Sequence, residues 1–431
     1  MERNAYQDLL AWKNRKDRKP LILNGARQVG KTWLLKEFGA REYENLAYIN
    51  CDDTPEIKNS FSDFDTDRLI RVFSALSGVE IKPQKTLIVL DEIQQVPLAL
   101  TSLKYFCEKS PEYHIAVAGS LLGIGLHEGT GFPVGKVDEI NLYPLTFEEF
   151  CLALGNRILV EQMKEGRWNE LSSLSHTFIE LLRQYYYVGG MPAAVKDYCQ
   201  NQSLKSVRDI QNQILSDYKN DFSKHVPKDI LPKVNIVWES IPSQLAKENK
   251  KFIYRAIKKG ARAKDFENAI QWLIDAGLVY KVLRVSKIEK PLKFYEDFDA
   301  FKLFVLDLGL LGAMTDVSAK DVLVNNNAFT EYKGSFTEQY VLQELIPLHK
   351  KIYYYSKENS SLEIDFIMQK DQVYPIEVKA EENLRSKSLK AVHEANPDTK
   401  PVRFSMAAYR KEEWLTNVPL YLAHEWMKEA E

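Results

Sequence analysis

Gly25-Ala26-Arg27-Gln28-Val29-Gly30-Lys31-Thr32 follows the apolar run Leu21-Ile22-Leu23 and precedes an amphipathic stretch with Trp33, Leu34, Leu35 and Phe38. Two glycines separated by four residues, then a lysine and a hydroxyl side chain, form a loop whose backbone N–H groups can curl around a triphosphate. The helix opening at Lys31 adds the partial positive charge of its N-terminus. Lys31 is expected to reach the β- and γ-phosphates, and Thr32 to ligate Mg²⁺. The expected nucleotide-binding set is therefore Gly25, Ala26, Arg27, Gln28, Val29, Gly30, Lys31, Thr32 and Trp33. The buried strand before the loop and the helix after it separate this reading from an ordinary glycine turn.

Outward from the loop, β-rich apolar runs alternate with helical stretches, the pattern of a parallel sheet covered by helices on both faces. Strands are expected at 20–24, 46–51, 86–91, 114–119 and 137–142. The third, Thr86-Leu87-Ile88-Val89-Leu90, runs into Asp91-Glu92. A buried strand that ends in two acids can deliver Asp91 to the Mg²⁺ shell and let Glu92 orient a water against the γ-phosphate. The fourth ends in Gly119-Ser120, where Ser120 reads either as a γ-phosphate sensor or as a helix N-cap. The stretch from Gly123 to Lys136 reads as a mobile glycine-rich loop. Thr146-Phe147-Glu148-Glu149 is a capping box, so the first domain is expected to span 1–150.

The bulk numbers are those of an ordinary folded protein. The chain has 431 residues, 45% apolar and 27% charged, which favours more than one core. The net charge of −2 gives no global attraction for nucleic acid, so any such binding needs a local patch. No apolar run reaches the roughly 18–20 residues that cross a bilayer. Cys51, Cys107, Cys151 and Cys199 are scattered without a paired spacing, which argues against a zinc site or a disulfide framework and for a reducing cytoplasm.

Four elements together carry a family resemblance: the Gly25–Thr32 loop, the turn Leu90-Asp91-Glu92-Ile93-Gln94, Gly119-Ser120, and Leu142-Tyr143-Pro144-Leu145-Thr146-Phe147-Glu148-Glu149-Phe150. They resemble the prokaryotic AAA-type ATPases that carry a C-terminal domain of unknown function with a nuclease-like fold. The resemblance implies ATP and Mg²⁺ as cofactors and self-association into a homo-oligomer, and gives no reason to expect a membrane. Relatives often carry Gly-Arg before the last strand, where this chain has Gly135-Lys136. Lys136 could replace an arginine finger only as a monodentate charge.

Residues 151–310 are expected to be helical, broken at Val188-Gly189-Gly190-Met191-Pro192, with a winged helix near 240–285 that the resemblance also suggests. Lys247, Lys250, Lys251, Arg255, Lys258, Lys259, Arg262 and Lys264 face a single acid, Glu248, in this stretch. They could follow a DNA backbone or form a solvated helix face.

Residues 311–431 are expected to form an α/β domain. Alternation puts Glu377 and Lys379 on one strand face, Leu362–Met368 alternates likewise, and a turn at Asp371-Gln372 sets Asp365 beside Glu377. Glu338 falls early in a helix. An acid on a helix, an Asp on one strand and Glu-x-Lys on the next resembles the PD-(D/E)XK nuclease superfamily. The resemblance implies that Asp365 and Glu377 hold Mg²⁺, that Glu338 completes the shell and that Lys379 activates water. The other reading is a half-buried sheet whose charges form ion pairs. Two functions follow: ATP hydrolysis coupled to DNA binding or processing, or a nucleotide-dependent switch whose nuclease-like domain is an inactive interaction scaffold.

Overall fold

Strand β1 (Leu21–Asn24) is buried at Leu21, Ile22 and Leu23 and lies in the interior of its sheet, hydrogen-bonded to a parallel neighbour on each side. The computed structural model describes residues 1–120, 131–247, 250–257, 260, 262–324, 327–348, 351–357, 362–381 and 385–429. The chain divides into two units, Met1–Tyr143 with Asp275–Leu278, and Pro144–Ile274 with Val279–Glu431.

In the first unit, α1 (Ala5–Asn14), α2 (Lys31–Glu42), α3 (Thr66–Ser77) and α4 (Pro97–Lys109) accompany β1, β2 (Asn45–Asn50), β3 (Thr86–Asp91), β4 (His114–Ala118) and β5 (Asp138–Asn141). All five strands are parallel in the order β2-β3-β4-β1-β5, each within a residue or two of its sequence expectation. Because helices cover the sheet, β3 and β4 are buried at every residue and carry no polar alternation. Ile88 and Leu90 of β3 join Phe73 of α3 and Phe106 of α4 in one apolar core. The carboxyl ends of β1, β4 and β3 lie side by side, where ligands bind in open parallel sheets.

The second unit opens at the capping box. Thr146 Oγ1 accepts from the Glu149 backbone N–H at 3.3 Å and Glu149 Oε2 accepts from that of Thr146 at 3.0 Å, starting α5 (Phe147–Ala153). Helices α6 (Arg157–Lys164), α7 (Ser175–Val188), α8 (Pro192–Asn201), α9 (Leu204–His225), α10 (Leu231–Leu245) and α11 (Ala263–Asp275) follow. The expected break after Val188 is present for a packing reason: a Cβ on Gly190 would lie 2.2 Å from the Leu145 carbonyl oxygen.

Strands β6 (Val279–Val285) and β7 (Glu296–Val305) form an antiparallel hairpin after α11, and β6 then pairs in parallel with β8 (Ile352–Ser356). The hairpin thereby extends a sheet completed by β9 (Glu363–Gln369), β10 (Val373–Val378), β11 (Val402–Ser405), β12 (Arg410–Lys411) and β13 (Thr416–Pro419). Its order is β12-β13-β11-β10-β9-β8-β6-β7. No unit boundary falls at residue 310, because one sheet is built from both sides of that position. Helices α12 (Leu308–Met314), α13 (Asn327–Leu345), α14 (Lys387–Ala395) and α15 (Ala423–Glu429) complete the unit. One sheet face packs on α14 through Val285, Ile364, Ile367, Val373, Leu389 and Val392.

Candidate functional sites

The loop after β1 leads into α2 and is shaped by close packing. A Cβ on Gly25, at φ +146°, would lie 2.3 Å from the Leu142 carbonyl oxygen, so only glycine fits there. Arg3, buried at the N-terminus, donates from Nη1 to the Val29 carbonyl at 2.9 Å and so ties the loop to α1's leading segment. Lys31 Nζ donates to the Gly25 and Ala26 carbonyls, each at 2.7 Å. Its ammonium is therefore held at the loop by backbone oxygens. Burial lowers its pKa to about 8, against the opposing pull of Glu92 and Asp91.

Asp91, at the end of β3, gathers the other groups. Its Oδ2 accepts from Thr32 Oγ1 at 2.6 Å and from the Tyr48 hydroxyl at 2.9 Å, and its Oδ1 accepts from the Glu92 backbone N–H at 3.1 Å. Burial, then the Asp91 charge, raises the Tyr48 hydroxyl well above its ordinary range. Glu92 stands at φ +50°, a left-handed conformation costly for a non-glycine residue and frequent where function requires it. Its Oε2 accepts from Ser120 Oγ at 3.2 Å and from Gln94 Nε2. Thr32, Asp91, Glu92 and Ser120 are thus one hydrogen-bonded group at the ends of neighbouring strands, with the Lys31 ammonium in their electrostatic field. The donor set fits a nucleotide with Mg²⁺: a glycine-lined loop, a lysine bonded to carbonyls, and a hydroxyl already joined to a carboxylate.

Trp33 and Arg27 are exposed beside the loop. Lys136 forms an ion pair with Glu108 at 2.9 Å. Of the glycine-rich loop, residues 123–130 lie outside the described residues, as do the residues after Ser120 on which its N-cap reading depends. Arg3 and Tyr48 carried no motif. Tyr48 reaches Asp91 only because β2 and β3 are in register, Asn50 opposite Asp91.

The C-terminal residues are arranged differently from the sequence expectation. Val373 belongs to the α14 face, so Glu377, four residues on along β10, faces the same way. Its register partner on β11 is Arg403, whose Nη1 donates to Ser386 Oγ just before α14 at 3.2 Å. Glu377 Oε1 pairs with Lys379 Nζ at 2.8 Å. Asp365 takes the other face. Ile364 and Ile367 both pack on the α14 side although three residues apart, because the β8–β9 register shifts by one residue between Tyr353 and Tyr355. The irregularity turns Asp365 and Phe366 together toward α13. There Phe366 meets Phe304, ring centroids 5.8 Å apart, and Asp365 hydrogen-bonds Glu338 of α13.

Two lysines fill this second cluster. Lys302, on β7 and fully buried, lies 2.7 Å from Glu363 Oε1 and 3.7 Å from Glu338 Oε2. Lys250 pairs with Glu338 Oε1. Burial works against the Lys302 ammonium, but Glu338, Glu363 and Asp365 outweigh it and its pKa rises. Burial, reinforced by Glu338, pushes Asp365 up to about 7. Among the described residues, Glu338, Asp365 and Glu377 do not gather ligand atoms within 4.8 Å of one another. Strand alternation thus sends Asp365 and Glu377, the expected Mg²⁺ pair, toward different faces, although Asp365 Oδ2 still accepts from the Val378 backbone N–H beside Glu377 at 2.8 Å, and ion pairs surround Asp365 and Glu338.

The basic stretch is also divided. Lys250 points inward to Glu338, Lys247 bonds Gln244, and Arg255, Arg262 and Lys264 are exposed. Glu248, Lys258 and Lys259 lie outside the described residues.

The first site falls within a segment that is similar to an AAA domain. Residues 17–151 match the model of an AAA domain, and residues 179–321 and 333–422 each match a domain of unknown function. No curated protein matches the chain. Among solved structures, a Walker-type ATPase of Pyrococcus abyssi is 14% identical over 72% of this chain and 94% of its own, with a TM-score of 0.45. The Aeropyrum pernix ORC1 protein, solved in complex with DNA, is 15% identical over 72% and 90%, at 0.26. The RuvB Holliday junction branch migration motor of Thermotoga maritima is 14% identical over 65% and 89%, at 0.29. No helix among the described residues is long and apolar enough to cross a membrane.

Proposed function

We propose that this chain binds MgATP on the Gly25–Thr32 loop and hydrolyses it slowly, using turnover to change how the second unit binds a partner. The observation that carries the reading is the Thr32–Asp91–Glu92–Ser120 hydrogen-bond chain. When bound, MgATP supplies the γ-phosphorus and a divalent charge that screens its oxygens. Lys31 and the loop amides hold the phosphates, Thr32 and Asp91 take the metal side, and Glu92 orients the attacking water and accepts its proton. Ser120, bonded to Glu92, reports which state that carboxylate is in. Slow turnover follows from the pairing of Lys136 with Glu108, which leaves an arginine of a second copy in a homo-oligomer as the missing transition-state charge.

Of the two roles for the C-terminal sheet, the scaffold is favoured over the nuclease because Lys302 and Lys250 neutralise Glu338 and Asp365 from within the chain. Arg255, Arg262 and Lys264 make duplex DNA the partner to test first. The assay is phosphate release by the purified chain with MgATP, with and without DNA, alongside equilibrium binding of a fluorescent ATP analogue. Saturable binding with release that DNA alters supports the reading. Absence of nucleotide binding overturns it.

A further inference from the structure

A further cluster of ligand-type side chains stands in the second unit, apart from the nucleotide site and from the Glu338–Asp365 cluster. Glu148 on α5 and the neighbours His424 and Glu425 on α15 each offer one ligand atom, and these atoms lie within 4.8 Å of one another. All three are buried, at 1%, 8% and 2% exposure. Taking two carboxylates out of water at one spot is costly unless a cation sits with them.

The protein supplies only part of that cation. The Lys164 ammonium at the end of α6 pairs with Glu148 Oε1, and Lys428 approaches Glu425 Oε2 at 3.9 Å. Both lysines are about half exposed, with stems free to carry the charge back to water. Buried Glu148 Oε2 and Glu425 Oε1 accept from no N–H or hydroxyl of the protein, and without an ion the two carboxyls meet only each other, Glu425 holding a proton toward Glu148. Buried carboxylate oxygens with no such donor are rare enough to need a cause, and an ion is one.

The histidine points the same way. His424 Nδ1 lies 2.7 Å from the Glu344 backbone carbonyl oxygen, which can only accept, so Nδ1 carries the proton. Nε2 is then left with its lone pair. An imidazole oriented by donation to a carbonyl, with its second nitrogen free to ligate, is the usual arrangement of a metal-binding histidine.

We propose that Glu148, His424 and Glu425 bind one first-row divalent cation, Zn²⁺ before Mn²⁺, which clasps α5 to α15. The nitrogen ligand and the small ligand number favour Zn²⁺ over Mg²⁺ or Ca²⁺, which take oxygen donors in larger shells. Three protein ligands leave a fourth position to water. The clasp is structural: it joins the first helix of the second unit to the last, closing a long loop of chain.

The test uses the untagged full chain, stripped with EDTA and free of nucleotide. Zn²⁺ is titrated by calorimetry, thermal unfolding is followed with and without it, and Co²⁺ is added as a spectroscopic probe. One Zn²⁺ per chain, a raised Tm and a visible Co²⁺ absorption are expected. Glu425→Gln keeps the shape and any hydrogen bond of a protonated carboxyl but loses the ligand charge, and should weaken Zn²⁺ by roughly 10–100-fold or more. His424→Gln should abolish the Co²⁺ band. No Zn²⁺ uptake by the wild-type chain, or uptake unchanged in both variants, overturns the proposal. Should either variant fail to fold, the wild-type stoichiometry and Co²⁺ spectrum decide.

Discussion

The nucleotide loop and the C-terminal sheet each bring lysines to carboxylates, and they differ in what those lysines do. At the loop, Lys31 bonds backbone carbonyls, so its charge stays available for an anion. In the sheet, Lys302 lies between Glu338 and Glu363 and Lys250 is paired with Glu338, so the charges are consumed within the chain. The first arrangement is poised for a ligand. The second is satisfied without one, and the lesson is that residue types alone do not distinguish a site from an ion-pair network.

The largest expected effect breaks the comparison at the loop. Lys31→Ala should abolish binding of a fluorescent ATP analogue while leaving the circular dichroism unchanged. Retained affinity would mean the loop does not hold the triphosphate.

On the other side of the comparison, Lys302→Met should destabilise the second unit by about 3–5 kcal/mol, the scale for removing one partner of a buried ion pair. Urea denaturation measures it. A loss under about 1 kcal/mol, the worth of an exposed pair, would mean the cluster is not held together by that ammonium.

A pH titration sharpens the contrast. Lys31 in the free protein has its pKa lowered to about 8, and the nucleotide binds its protonated form. Affinity for ATP should be flat below pH 8 and fall above it, by up to about tenfold per pH unit. Affinity constant to pH 9.5 would assign the anion's charge partner elsewhere.

The smallest effect is expected where the sequence pointed to nuclease chemistry. The wild-type chain and Lys379→Ala should both leave a supercoiled plasmid intact in the presence of Mn²⁺. Metal-dependent nicking that Lys379→Ala removes would restore the nuclease reading. DNA affinity is checked separately: reversing Lys258 and Lys259 to Glu should weaken duplex binding and lower its salt dependence, by about one counterion for each lysine that contacts phosphate.

The first unit was legible because its signals are local. Eight consecutive residues define the loop, and β3 carries its apolar run and Asp91-Glu92 in sequence, so the strand boundaries emerged within a residue or two. Tyr48 and Arg3 were not legible, since each reaches the loop or Asp91 through strand register or a chain terminus. In the second unit, the β9–β10 hairpin was readable from alternation, whereas the helix holding Glu338 starts at Asn327, so Glu338 stands in its second half and not in an early turn as expected. The sidedness of Asp365 was not readable, because a one-residue shift opposite Tyr354 reverses a face and leaves the composition unchanged. The fusion of the β6–β7 hairpin into the C-terminal sheet was equally hidden, as parallel pairing of β6 with β8 joins segments far apart in sequence.

The most direct test of the account is single-turnover ATP hydrolysis by Glu92→Gln beside the wild-type chain, with nucleotide affinity measured on both. The amide keeps the size of the side chain and its contacts with Ser120 and Gln94 but cannot accept the proton of the attacking water. The account predicts unchanged ATP affinity and a hydrolysis rate lower by about a hundred- to ten-thousand-fold. Turnover equal to that of the wild type would contradict it.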